Sequence, residues 1–135
     1  MRSLDTNILA RLLVDDPDDA QAAAQRPAAI AALSTRAFVT VTVLLELEWV
    51  LRGFYGLPRA EIVRGLRALA GIPQLTIEDR DAVLTALEAC AGGMDFADAL
   101  HVARSGGASG FATFDRALAT KAGRAKLPVA VELLR

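Results

Sequence analysis

Short apolar runs alternate along the chain with longer stretches whose apolar positions recur at helical spacing. RSLD (2–5) predicts a first strand, with a helix through ILARLLV. In DDPDDAQAAAQRPAAIAAL, Asp16 is the expected N-cap, Pro17 suits the first helical position, and Asp18 and Asp19 enrich the first turn. Pro27 is expected to kink or divide that helix. AFVTV (37–41) predicts a second strand, and Thr40 or Thr42 is available to cap VLLELEWVLRGFYG, which Gly56 ends. Pro58 opens RAEIVRGLRALAG, where Ile62, Val63, Leu66 and Leu69 share a face. QLTI (74–77) predicts a third strand, and Asp79 or Asp81 starts a helix to about Ala91. After Gly92-Gly93, DFADALHVA reads as a helix, GFAT (110–113) as a fourth strand, and a helix follows from Asp115. PVAVE (128–132) predicts a short fifth strand. Strand–helix alternation of this kind argues for βαβ units and a parallel sheet covered on both faces. One domain over 1–135 is expected, with no linker or internal repeat.

Composition narrows the picture. Hydrophobic residues make up 53% of the 135 positions and aromatics 5%, so the core must be built from Leu, Val, Ile and Ala. No apolar run reaches the roughly 18 residues of a membrane span, and Asp5 interrupts the place where an export signal would be greasy. The single cysteine, Cys90, fits a buried filler in a reducing, cytoplasmic setting. Net charge is −1, which lacks the basic balance of many nucleic-acid binders. Residues 99–135 nonetheless hold six cations against two acids, a net of +4. That is a solvated helix face or a rim for phosphates.

Four acids stand out by their place beside the predicted strands. Asp5 sits at the exit of the first strand, Glu46 shortly after the second, Asp98 in the helix before the fourth, and Asp115 two residues past FAT. Ligands of open parallel sheets gather outside the carboxyl ends of the strands. Two carboxylates about 5 Å apart repel by roughly 3 kcal/mol at an effective dielectric of 20. A cluster of four would cost on the order of 15–20 kcal/mol, more than a small domain's whole stability. Such a cluster must take up protons or a cation. All-oxygen donors without Cys or several His select Mg²⁺ or Mn²⁺ over zinc. No Walker-type phosphate loop is present, so metal-assisted phosphodiester cleavage fits better than nucleotide triphosphate hydrolysis.

Glu46 and Glu48 lie about 200° apart on a helix, so at most one faces such a site. Both flank the stripe of Val43, Leu44, Leu47, Val50, Leu51 and Phe54, and periodicity does not choose between them.

LDTNIL, LLELEWVLRGFYGL, DFADALHVA and FATFDRAL, in this order across nearly the whole chain, resemble the PIN-domain ribonucleases and, more narrowly, VapC-type toxins of bacterial toxin–antitoxin pairs. The resemblance implies a three-layer α/β/α sandwich around a parallel sheet of four or five strands. It implies Asp5, Glu46, Asp98 and Asp115 around Mg²⁺ or Mn²⁺, choosing Glu46 and leaving Glu48 as a surface or salt-bridging residue. Thr6 and Asn7 match residues beside the first acid, and Thr113 the hydroxyl before the last; these and Arg116 are the expected positioning groups. Asp95 is read as the helix cap, with an outer metal ligand as the lesser option. The resemblance further implies endonucleolytic cleavage of a structured RNA such as tRNA with a 5′-phosphate product, a cognate VapB-type antitoxin and a homodimer. Trp49, Phe54 and Tyr55 are candidates for an interface, with core packing ranked ahead for Phe54. His101, on the Asp98 side of its helix, is read first as a packed residue and second as a group that orients a carboxylate or touches RNA.

Two rivals are weaker on these residues. A haloacid dehalogenase-like phosphatase wants Asp-x-Asp where this chain has Asp5 and Asn7, and a receiver domain matches poorly after QLTI. A PIN-fold module that binds and regulates without catalysis is the alternative from a different class.

Overall fold

Strand exits run almost directly into helix starts, and the capping residues do the turning. In this computed structural model, which describes residues 1–135, the residues fall into two compact units, Met1–Glu78 and Asp79–Arg135.

In the first unit, β1 (Arg2–Ser3) leads through Asp5 into α1 (Thr6–Leu13), and α2 (Ala20–Ala31) follows. β2 (Ala37–Val39) turns at Thr40 into α3 (Val41–Trp49), which continues as a π-helical turn at Val50–Phe54. α4 (Arg59–Ala70) and β3 (Leu75–Ile77) complete the unit. The strands hydrogen-bond in the order β1-β2-β3, all parallel, with Ser3 opposite Phe38 and Val39 opposite Ile77. Leu9, Val39, Leu44, Leu47, Leu51, Leu66, Leu69 and Ile77 are buried, so the core is aliphatic, as the composition requires. Burying each such Leu or Ile side chain stabilises the fold by roughly 1.5–3 kcal/mol.

Local chemistry corrects three expectations here. α2 starts at Ala20, with Asp19 rather than Asp16 as N-cap: its carboxylate accepts from Gln21 N and Ala22 N at 3.0 and 3.1 Å. Asp16 instead closes a turn, its carbonyl accepting from Asp19 N. Of the two outcomes expected of Pro27, a kink or a division, the division does not occur: α2 runs unbroken across it. Phe54 is not core; it is 70% exposed. The cause is the π turn, in which Tyr55 N donates to Val50 O five residues back. One residue more per turn rotates whatever follows off the apolar stripe. Gly56, at φ +65°, ends the segment in a conformation that favours glycine.

The second unit comprises α5 (Arg80–Ala91), α6 (Phe96–Ala103), β4 (Phe111–Thr113), α7 (Arg116–Ala122) and β5 (Val131–Leu133). β4 and β5 pair in parallel, Phe111 opposite Val131. β5 thus lies later than PVAVE predicted: Ala130 is spent at its entry, its carbonyl accepting from Phe111 N at 2.9 Å. Val83, Ala86, Leu87, Phe96, Ala99, Leu100 and Val102 are buried, and small alanines let α5 and α6 pack closely. Cys90 is buried late in α5, as expected of a filler. The chain is α/β with parallel strands throughout, and no helix is long and apolar enough to cross a membrane.

Candidate active site

Asp5 leaves β1 in extended geometry (φ −82°, ψ 164°), and its exposed carboxylate caps α1 by accepting from Thr6 N at 2.8 Å. Thr6 is buried, and its hydroxyl donates to Glu46 Oε1 on α3. One residue therefore touches both candidate site acids of the first unit: its amide meets Asp5 and its hydroxyl meets Glu46. Asn7 is exposed on the first turn of α1.

The two glutamates of α3 part company. Glu46 is exposed on the Thr6 side, whereas Glu48 is 6% exposed and takes a two-point ion pair from Arg52, at 2.9 and 3.3 Å. Glu48 is thus salt-bridged, as expected of it, but turned inward rather than at the surface.

α3 is held at its start by two caps. Thr40 Oγ1 accepts from Val43 N at 3.3 Å, and Glu78 Oε1 accepts from Val41 N at 2.9 Å. Glu78, directly after β3, is a residue the sequence reading missed. Its signal was available, because it is an acid at a strand exit like the others. Here the carboxylate is spent on a helix N-terminus.

In the second unit, Asp95 caps α6 by accepting from Asp98 N at 3.1 Å. Asp115 caps α7 by accepting from Leu118 N at 3.0 Å, while its own N–H donates to Thr113 Oγ1 at 3.0 Å. The carboxyl of Asp98 is pushed above the usual 3.8, chiefly by burial and then by the negative charges of Asp95 and Asp115. His101 and Lys121 act in the opposite sense. Asp98 and Asp115 therefore feel one another. Arg116 is exposed beside Asp115 and forms no ion pair with it. His101 is exposed, which overturns its reading as a packed residue; a helix face pointing to water leaves its ring free for contact.

Within neither unit do three or more His, Cys, Asp or Glu side chains form a ready metal-binding group. The donor chemistry itself fits a hard divalent cation: carboxylates and hydroxyls, with the one cysteine buried elsewhere. Residues 3–124 match the model of the PIN domain. The chain belongs to the PIN domain family. No curated protein matches it. PIN domains are generally metal-dependent nucleases that use divalent ions such as Mg²⁺, bind RNA and often pair with antitoxins.

Proposed function

We propose that this PIN domain is a Mg²⁺-dependent endoribonuclease and the toxin of a VapBC-type toxin–antitoxin pair, with its 135 residues acting as one domain. The substrate is tRNA or another structured RNA. Asp5, Glu46, Asp98 and Asp115 hold the ion, Mg²⁺ or Mn²⁺. Thr6, Asn7, Thr113 and Arg116 position ligands or the scissile phosphate. The protein works in the cytoplasm as a homodimer under the control of a VapB-type antitoxin.

The observation that carries this reading is the family match over residues 3–124 together with where those acids stand in each unit. Asp5 and Glu46 meet the same threonine, and Asp115 raises the proton affinity of Asp98. Bound there, a divalent ion supplies Lewis acidity for activating water and for offsetting charge at phosphorus. The chain's own residues do the orienting. Thr6 fixes the rotamer of Glu46, and Thr113 fixes the backbone that presents Asp115.

End-labelled tRNA incubated with the protein and Mg²⁺ or Mn²⁺ is expected to yield discrete fragments with 5′-phosphate ends, abolished by EDTA. Asp5→Asn and Asp98→Asn are expected to fold and to lose cleavage. Wild-type cleavage rates in either variant contradict that assignment, and a protein that binds RNA without cutting it is the non-catalytic module.

A further inference from the structure

The second unit contains a cavity of about 270 Å³ whose rim carries Lys121, Arg124 and Lys126. All three are exposed, and none is in an ion pair: the chain's pairs are Arg26–Asp15, Arg52–Glu48 and Arg104–Asp79. A single acid, Glu88, stands on the wall, so the lining is net positive. Ala89 and Met94, both buried residues of the core, supply an apolar floor. Lys121 alone has a bland explanation, as a cation in the last turn of α7 that suits the negative end of the helix. Arg124 and Lys126 lie beyond the helix and do not share it, yet they line the same cavity.

Its position gives the cavity a meaning. Lys121 follows Asp115 by six residues, roughly 9 Å of helical rise along α7. Asp115 caps one end of α7 and the cations of the cavity stand at and beyond its other end, so a polyanion held at Asp115 has three cations outside any ion pair within about two helical turns.

We propose that this cavity is a subsite for a nucleotide of single-stranded RNA flanking the one at Asp115, with its phosphate on Arg124 and Lys126 and its sugar or base over Ala89 and Met94. The proposal rests on the nuclease reading for the identity of the polyanion. RNA is favoured over an acidic protein segment because α7 itself joins Asp115 to the cavity.

The test separates binding from cleavage. A short fluorescein-labelled single-stranded RNA is titrated in EDTA, by anisotropy at several salt concentrations, with wild type, Arg124→Ala/Lys126→Ala and Glu88→Gln. The double variant is expected to bind roughly tenfold more weakly, with a log K against log salt slope shallower by about 1.4 for two lost phosphate contacts. Glu88→Gln, which removes the only opposing charge, is expected to tighten binding. All three side chains changed are exposed, so unchanged circular dichroism and melting are expected. Wild-type affinity and slope in the double variant overturn the subsite, even where tRNA cleavage with Mg²⁺ shows the nuclease reading to be right. The expected binding shifts without cleavage in Mg²⁺ or Mn²⁺ uphold the subsite and sink the nuclease reading instead. Capture of a poly-glutamate peptide with no RNA binding overturns the subsite in favour of an acidic protein segment.

Discussion

The buried hydroxyl of Thr6 donates to the carboxylate of Glu46 across forty residues of sequence. This bond ties the exit of β1 to the middle of α3. It also leaves Glu46 with its second oxygen free, on an exposed side chain whose direction is set by a buried one.

Thr6→Val keeps the shape and removes the donor. Activity is expected to fall by about 10–100-fold, as for groups that orient metal ligands. Stability should change by only about 1 kcal/mol, because Glu46 remains solvated. Thr6→Ser should keep most activity. Cleavage assays with chemical denaturation check both, and full activity in Thr6→Val contradicts the orienting role.

Asp98 predicts a pH signature with a definite sign. Its folded-state carboxyl is raised above 3.8, so the native protein holds that proton more tightly than the unfolded chain does. The associated stability is present below 3.8 and is lost as pH rises through the raised value. Asp98→Asn, which stays neutral, is expected to melt with wild type in acid and above it near neutrality, in the absence of divalent ions. Added Mg²⁺ should raise wild type and not the variant. Melts across this range decide it; a variant that melts below wild type at neutral pH contradicts the account.

The strand–helix order, the apolar faces and the strand-exit acids were legible in the sequence because each follows from periodicity or a cap. The face of α3 was not. Glu46 and Glu48 flank the stripe about equally, and the decision lay in two long-range facts: a hydroxyl from α1 and a place for Glu48 inside the protein. Phe54 was misread because its apolar phase assumes an α-helix, and the switch to a π turn at Val50 leaves no mark in the apolar pattern. Asp16 and Asp19 are chemically equal as caps, so backbone geometry alone chose between them.

Glu48 is nearly buried while its partner Arg52 is half exposed. Arg52→Ala is expected to cost on the order of 1–2 kcal/mol, since it strands a charge with little water while the exposed end of the pair contributes modestly. Glu48→Gln should relieve part of that loss in the double variant. A double-mutant cycle by urea denaturation measures the coupling, and strict additivity contradicts it.

Two apolar residues that the helical spacing places on one stripe should separate sharply. Leu47 is fully buried, and Leu47→Ala is expected to cost about 2–5 kcal/mol. Phe54, exposed after the π turn, should cost within about 0.5 kcal/mol when changed to Ala. Equal losses in denaturation midpoints would place Phe54 back in the core.

Mn²⁺ titration by calorimetry, on wild type, Asp5→Asn and Asp98→Asn, reaches the central claim without depending on any RNA. Wild type is expected to bind the ion, and each amide variant to bind it at least about tenfold more weakly while melting as a folded protein. Wild-type affinity in both variants would show that these carboxylates hold no cation, and the proposed chemistry would fall with them.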